Sequence, residues 1–396
     1  MSEWKEYKLG EIAEITSSKR IFYSEYVSGG VPFYRSKEII DLYNKRNVAT
    51  ELYISLERYN EIKDKFGVPQ KDDILLTSVG SLGIPYKVKD EDYFYFKDGN
   101  LTWFKDININ IIYPDYFVFW LTSCIGKQKL DEITIGSTQA ALTISGLKTV
   151  VIELPPLPEQ KRIASILSSL DDKIDLLHRE NKTLEAMAET LFRQWFIEEA
   201  KEDWKENSLG KCIKLVGGGT PKTSEERFWN GNVFWLSGGD IANNHKSFVS
   251  SSEKSISEDG LNNSSAKLLP ENAMVISARG TVGKYCLLSK PMAFSQSNYG
   301  ILPIYNDCYF FTYLLVAYHI DELQSAAYGS VFDTITTKTF EGVSVLIPKE
   351  TSYIVEFEKM IEPYFSKMKQ NNKQIQTLIQ QRDSLLPKLM SGEVKI

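Results

Sequence analysis

Residues 116–155 and 309–348 carry one pattern in one register. Tyr116-Phe117, Leu121, Leu130 and Gly136-Ser137 recur as Tyr309-Phe310, Leu314, Leu323 and Gly329-Ser330. The same offset carries Val150, Ile152, Leu154 and Pro155 onto Val343, Val345, Ile347 and Pro348. Earlier, Trp4-Lys5-Glu6 returns as Trp204-Lys205-Glu206, Leu9-Gly10 as Leu209-Gly210, and Gly80-Ser81-Leu82-Gly83 as Gly280-Thr281-Val282-Gly283. Val31 to Ile39 finds a looser partner in Val233 to Ile241. Self-similarity in a fixed register marks a repeated structural unit. The chain is a duplication, and both copies must fold alike.

Each copy has two parts. The first mixes short β-rich runs with turns, such as Ile74 to Leu76 and Val150 to Leu154 in one copy and Met274 to Ser277 and Val343 to Ile347 in the other. One amphipathic helix, near 114–130 and 308–325, is expected before a Gly-Ser turn in each, giving a compact α+β domain. The second part is a long helix. Ile163, Leu167, Leu170, Ile174, Leu177, Leu184, Ala188, Leu191 and Trp195 step by four and three around Asn181, as on a coiled-coil seam. Ile354, Ile361, Phe365, Met368, Asn372, Ile375, Ile379 and Leu386 follow the same template, with Glu358 and Arg382 as exceptions. Asn181 and Asn372 fall at equivalent places.

Two such seams in one chain predict mutual pairing rather than two helices each packed on its own domain, which would need a wider apolar stripe. Pro156 and Pro158 suit a helix entry and Pro387 a stop, whereas Pro363 should kink the second helix or split off a short leading one. The expected fold class is thus α+β, with two similar domains and two long helices in an antiparallel coiled coil. The divisions are 1–154 and 204–347 for the domains and 155–203 and 348–396 for the helices.

Composition narrows the function classes. With 396 residues the chain is long enough for two or three domains. The longest apolar run, Cys308 to Ile320, is too short for a membrane span, and the N-terminus has no signal-peptide pattern, so the cytoplasm is expected by default. Cys124, Cys212, Cys286 and Cys308 lie far apart with only three histidines, which predicts small buried thiols rather than a zinc site or disulfides. The net charge of −6 gives no positive support for nucleic acid, but the largest deficit sits in 155–203, with 7 Lys+Arg against 11 Asp+Glu. Residues 204–347 are nearly balanced at 12 against 13.

Enzyme signatures are missing. Gly280 to Lys284 is two residues short of a phosphate loop and lacks its Ser/Thr, and Gly217-Gly218-Gly219 completes no dinucleotide fingerprint. No N-P-P-[YF], G-x-S-x-G or H-E-x-x-H occurs.

The helix motifs resemble a known family. Leu154 to Ile174 (LPPLPEQKRIASILSSLDDKI) with Thr183 to Phe196 (TLEAMAETLFRQWF), and Gln381 to Val394 (QRDSLLPKLMSGEV), look like conserved regions of the specificity subunit of type I restriction–modification systems. Gly217 to Pro221 (GGGTP), Ile276 to Lys284 (ISARGTVGK) and Gly136 to Gln139 (GSTQ) resemble motifs of that family's target-recognition domains. Two departures stand out: Val331-Phe332-Asp333 replaces Thr138-Gln139-Ala140 in the second copy, and Pro363 lies within the second helix.

The resemblance implies a non-catalytic subunit in which each domain reads half of a bipartite double-stranded DNA target. It implies that the helices act as a ruler and dock two methyltransferase subunits, and that a motor-nuclease subunit can join. No cofactor is expected on this chain; S-adenosylmethionine, ATP and Mg would belong to the partners. A protein-binding adaptor without DNA contact is the alternative.

Reading DNA takes short polar or forked side chains on well-held turns for bases, and Lys, Arg or N–H groups for phosphates. Candidates in the first domain are Lys19, Arg20, Arg35, Lys37, Ser78, Ser81, Lys97, Asn100, Ser137, Thr138 and Gln139. In the second they are Thr220, Lys222, Ser237, Arg279, Thr281, Lys284, Gln296, Asn298 and Ser330. Any one alone suits a solvated surface as well as a base contact, and the recurrence in both copies is what singles out the set. Met187, Phe192 and Phe196, apolar but off the seam, are candidates for methyltransferase contact or for packing on the neighbouring domain. The seam from Ile163 to Trp195 is about 48 Å long at 1.5 Å per residue. Four residues inserted after Glu185, matched near Thr377, would lengthen such a ruler.

Overall fold

The computed structural model describes residues 4–136, 140–328, 333–394 and 396. The chain forms two compact units, 1–173 with 378–396 and 174–377. Both boundaries fall inside the long helices, Leu157–Arg193 and Thr351–Met390. Each unit therefore holds one globular module and a stretch of both helices.

The modules share a topology. In the first, an antiparallel sheet runs Glu14–Thr16, Leu101–Lys105, Ile74–Thr77, Pro85–Lys87, and a second runs Tyr26–Val27, Tyr53–Ile54, Val31–Tyr34, Tyr95–Phe96 with its last pair parallel. The second module repeats the first sheet as Ile213–Gly217, Asn298–Pro303, Met274–Ser277, Tyr285–Leu288, with Phe248–Val249 added. In its second sheet Lys254–Ile256, Trp229–Leu236 and Met292–Phe294 take the places of Tyr53–Ile54, Val31–Tyr34 and Tyr95–Phe96, the last two again parallel, and Leu268–Leu269 is added at the edge. A two-stranded ribbon closes each module, Lys5–Lys8 on Val151–Leu154 and Lys205–Ser208 on Ser344–Ile347. This ribbon is why the Trp-Lys-Glu and Val-x-Ile/Val motifs recur together: alternate residues Ile152 and Leu154, or Val345 and Ile347, face the core and are buried.

The helix expected near 114–130 is two helices, Pro114–Thr122 and Cys124–Glu132, and its counterpart is Tyr309–Tyr318 and Ile320–Tyr328. Ser123 makes the first break, since its Oγ accepts the Gly126 N–H at 3.1 Å and starts a new helix. Nor is Tyr309–Tyr318 amphipathic; residues 310–316 are all buried.

The long helices pair antiparallel, as expected. In the first unit Ile163 and Leu167 share a core with Leu385, Leu386, Leu389 and Met390, and Arg382 Nη1 meets Asp171 Oδ1 at 3.0 Å. In the second unit Asn181 Nδ2 donates to Asn372 Oδ1 at 2.8 Å, and Asn371 Nδ2 donates to Asn181 Oδ1 at 2.9 Å. A hydrogen-bonded polar cluster on an apolar seam fixes register, because a slip would break these bonds and leave the amides unpaired. The chain's end joins the first module's core through Leu389 and Met390, and Gly392, at φ +72°, turns beneath Trp4.

Pairing is not the helices' whole task. Phe192 and Phe196 are each 2% exposed, stack on each other, and pack against Phe311, Phe357 and Trp204. Their reading as methyltransferase contacts is corrected: they are core of the second module, and truncating such rings costs about 3–5 kcal/mol. Glu358, off-pattern on the seam, accepts the Phe310 and Phe311 N–H groups at 3.0 and 2.7 Å and so caps Tyr309–Tyr318. In the first unit the Gln160 amide accepts the Tyr113 N–H at 2.9 Å, at the start of the equivalent helix.

Neither proline breaks the second helix where expected. The second helix runs unbroken through Pro363, on its exposed face, and continues three residues past Pro387 to Met390. Of the cysteines, Cys212, Cys286 and Cys308 are buried, but Cys124 is exposed.

Glu185 is buried and accepts the Tyr313 hydroxyl at 2.8 Å. Burial is the main cause that pushes its carboxyl up to about 7. A folded pKa above the unfolded one means that the native state holds the proton longer, so stability contributed here falls as pH rises from about 4.5 to about 7. Glu185→Gln keeps an acceptor for Tyr313 and cannot ionise. Its stability relative to wild type should therefore rise across that window, by about 3 kcal/mol at most. Urea unfolding at pH 5 and pH 8 measures it; a difference independent of pH would show that Glu185 ionises freely.

Candidate nucleic-acid interface

In both modules one strand leads into a helix whose start is built the same way. Val31–Tyr34 precedes Ser36–Tyr43, and the Arg35 N–H is held by Glu38 Oε2 at 2.8 Å. Trp229–Leu236 precedes Gly238–Asn243, and the Ser237 N–H is held by Asp240 Oδ2 at 2.8 Å. Burial opposes the charge on Glu38, but the Arg35 guanidinium and nearby N–H groups outweigh it and keep its pKa below the ordinary carboxylate value. These two acids were not singled out from sequence; a carboxylate three residues after a strand-end polar residue is the signal that finds them.

Around each helix start the candidate residues converge. In the first module the Lys97 N–H donates to Tyr34 O, beside Arg35, at 2.8 Å. The Asn100 carbonyl accepts from the Ser78 N–H at 2.8 Å and from Ser36 Oγ at 3.5 Å. Arg20 Nε meets Asp98 Oδ2 at 2.8 Å, and the Lys19 N–H donates to the Tyr95 hydroxyl at 2.6 Å. Lys19, Arg20, Arg35, Lys37, Ser81 and Lys97 are exposed, and Lys37 and Lys97 have no ion-pair partner among the described residues.

In the second module Thr281 Oγ1 donates to Gly238 O at 3.2 Å and to Ser277 Oγ at 2.9 Å. The Ala278 N–H reaches Ser297 O at 3.0 Å, bringing the Arg279–Lys284 turn to the turn that carries Gln296 and Asn298. The glycine segment before Thr220 lies on that same turn through Gly218 N–Asn298 O at 3.3 Å and Gly219 N–Phe294 O at 3.0 Å. Gly219 can pass there only without a side chain, since a Cβ would meet the Ser265 carbonyl carbon at 2.2 Å. Arg279, Lys222 and Gln296 are exposed, Lys284 and Thr220 half-buried, and the three cations have no ion-pair partner among the described residues.

Two candidates change role. Ser78 is 2% exposed, its hydroxyl spent on Thr102 Oγ1 at 2.6 Å and Leu76 O at 3.2 Å. Asn298 is 1% exposed and donates to Ser295 Oγ at 2.7 Å. Both hold turns rather than face outward. Asn100 is half-buried, with its carbonyl engaged as above. Ser137, Thr138, Gln139 and Ser330 lie outside the described residues, but the segments that follow them are tied to the same turns by Leu142 N–Ser78 O at 2.9 Å and Ile335 N–Ala278 O at 3.1 Å. Of the partner candidates only Met187 is exposed, beside Lys182, Leu191 and Tyr364 around a shallow apolar groove. Among the described residues no cluster of three or more His, Cys, Asp or Glu could hold a metal ion, and no helix is long and apolar enough to cross a membrane.

Two modules of one topology, each gathering cations and short polar groups at one strand-to-helix turn, define a duplicated recognition scaffold. The family model for the type I restriction modification DNA specificity domain matches twice, over residues 1–186 and 201–380. The chain belongs to this family, and its function is DNA sequence specificity in a type I restriction–modification system. It is similar to the type I restriction enzyme MjaIX specificity subunit of Methanocaldococcus jannaschii, 27% identical over all of this chain and 94% of that protein. The HindI specificity subunit of Haemophilus influenzae is 23% identical over the whole of both chains. In fold it resembles the S subunit from M. genitalium, with a TM-score of 0.61 at 16% identity, covering 98% of this chain and 96% of that one. Nothing in these likenesses favours an adaptor that leaves DNA untouched.

Proposed function

We propose that each module reads one half of a bipartite double-stranded DNA target, that the paired helices set the distance between the halves, and that the chain itself carries out no chemistry. The observation that carries this reading is the pair of rims gathered around equivalent strand–helix junctions: Arg35, Lys37 and Lys97 at one, and Arg279, Lys284 and Gln296 on the turns packed against the other. Arginine and glutamine forks suit guanine and adenine edges, and lysines suit phosphates.

Methyl transfer falls to two methyltransferase subunits, which bring S-adenosylmethionine; ATP and Mg belong to a motor-nuclease subunit where one joins, and the complex works in the cytoplasm. A duplicated chain whose helices pair antiparallel offers two equivalent surfaces to two identical partners. Met187, exposed at the helix face, is a contact for one of them. The test is a gel shift and methylation assay with and without the cognate methyltransferase. The complex should bind and methylate a bipartite site, and the chain alone should transfer no methyl group. Transfer by the purified chain, or binding indifferent to sequence, would contradict the reading.

A further inference from the structure

The first module displays two aromatic rings that lie outside its core. Tyr23, the first residue of the one-turn 3-10 helix Tyr23–Glu25, is 90% exposed and touches the Tyr26 ring only edge-on at 6.0 Å, and Phe22, the residue before the helix, is 62% exposed. The turn is held firmly. The Phe22 N–H donates to Glu25 Oε2 at 2.7 Å, the Glu25 N–H to Phe22 O at 2.9 Å, and Arg58 Nε meets Glu25 Oε1 at 2.7 Å. Large rings left in water on a braced turn contribute little to folding, because most of their apolar area stays hydrated. They sit two and three residues from Arg20, whose partner Asp98 follows Lys97, and three and four from Lys19, whose ammonium lies over the Phe66 ring at 4.9 Å.

Among the described residues the second module has no such pair at the equivalent turn. Its equivalent one-turn helix, Glu226–Phe228, is preceded by Glu225, and its ring, Phe228, is 5% exposed. This asymmetry selects the occupant. A surface for two identical protein partners should recur in both copies, whereas the two halves of a DNA target differ, and residues that read them should differ too. The cations around the rings also suit a polyanion.

We propose that Phe22 and Tyr23 form a wedge that stacks against a base step of the half-site read by the first module, and of that half-site alone. This rests on the reading of the chain as a two-module DNA reader. Apolar side chains pressed between bases unstack a step and bend the duplex, and a stacked ring contributes to affinity whatever the base.

The experiment uses the complex of the full chain with its methyltransferase subunits. Duplexes carry the mapped target with 2-aminopurine moved along both half-sites. With wild type, fluorescence should rise at a step in the first module's half-site. Phe22→Ala/Tyr23→Ala should abolish that rise, weaken binding about ten- to a hundredfold, and leave signals caused by the partner subunits in place. Tyr23→Phe should retain both properties. Since the rings are exposed, the double variant should melt with the wild type, and this is checked alongside. Unchanged fluorescence and affinity would overturn the wedge, as would a variant that binds DNA normally once assembled but assembles poorly with methyltransferase. A wild-type complex that prefers no bipartite duplex over a scrambled one would instead sink the two-reader model itself.

Discussion

Four residues inserted between Lys173 and Ile174, with four more between Thr377 and Leu378, should leave both half-site sequences unchanged and lengthen the gap between them by one or two base pairs. Four helical residues add about 6 Å, close to two base-pair steps of roughly 3.4 Å, and they keep the apolar face nearly in phase at the expense of a local stutter. The position matters. After Glu185, the place the sequence alone suggests, an insertion would part the Glu185–Tyr313 hydrogen bond from the Phe192 and Phe196 packing one turn on. It would damage a module instead of lengthening a ruler. The chain leaves one compact unit for the other at 173–174 and 377–378, so insertions there cut neither core. Methylation of substrates that differ only in gap length checks this. The original gap should lose at least about tenfold, the scale on which one poorly placed base pair is penalised. A folded, active variant that keeps the original gap would mean that the helices hold the modules without measuring between them.

What could be read beforehand followed from periodicity. A fixed register between two halves has one structural cause, so the shared topology of the modules was legible from Leu121 and Leu314 or Ile152 and Val345. The seam was legible for the same reason, and Asn181 and Asn372 stood out as polar positions at equivalent places in the two seams; they are hydrogen-bonded partners.

What lay off the period was not legible. A helical repeat gives the direction of Phe192 and Phe196 but not what covers them, and the cover, Phe311 and Phe357, comes from far along the chain. Likewise Glu358 and Arg382 looked like flaws in a seam, yet one caps a helix of the module and the other bridges to Asp171. Ser123 hides a helix break inside an apolar run because a cap is a matter of one hydrogen bond. Pro363 was tolerable because it stands on an exposed face, where the carbonyl that its missing N–H leaves free can reach water.

The interface was half legible. Short polar residues in turns either face a ligand or hold the turn, and sequence gives both the same signature. Arg279 and Lys97 proved to be outward-facing, whereas Ser78 and Asn298 are bonded inward. Phe22 and Tyr23 escaped notice altogether, since exposed aromatic residues look like core until the fold is known.

Exchange of one module tests the central claim most directly. Residues 204–347 carry the whole Lys205–Ser208/Ser344–Ile347 ribbon, so replacing them with the equivalent segment of a relative leaves no strand unpaired. The donor should keep aromatic side chains where Phe310 and Phe311 meet Phe365 and Phe196 of the helices. Methylated positions mapped on genomic DNA exposed to the hybrid complex should then show one half of the target replaced by the donor's and the other half as before. A hybrid that is folded and active but alters both halves together, or neither, would contradict the account of one reader for each half.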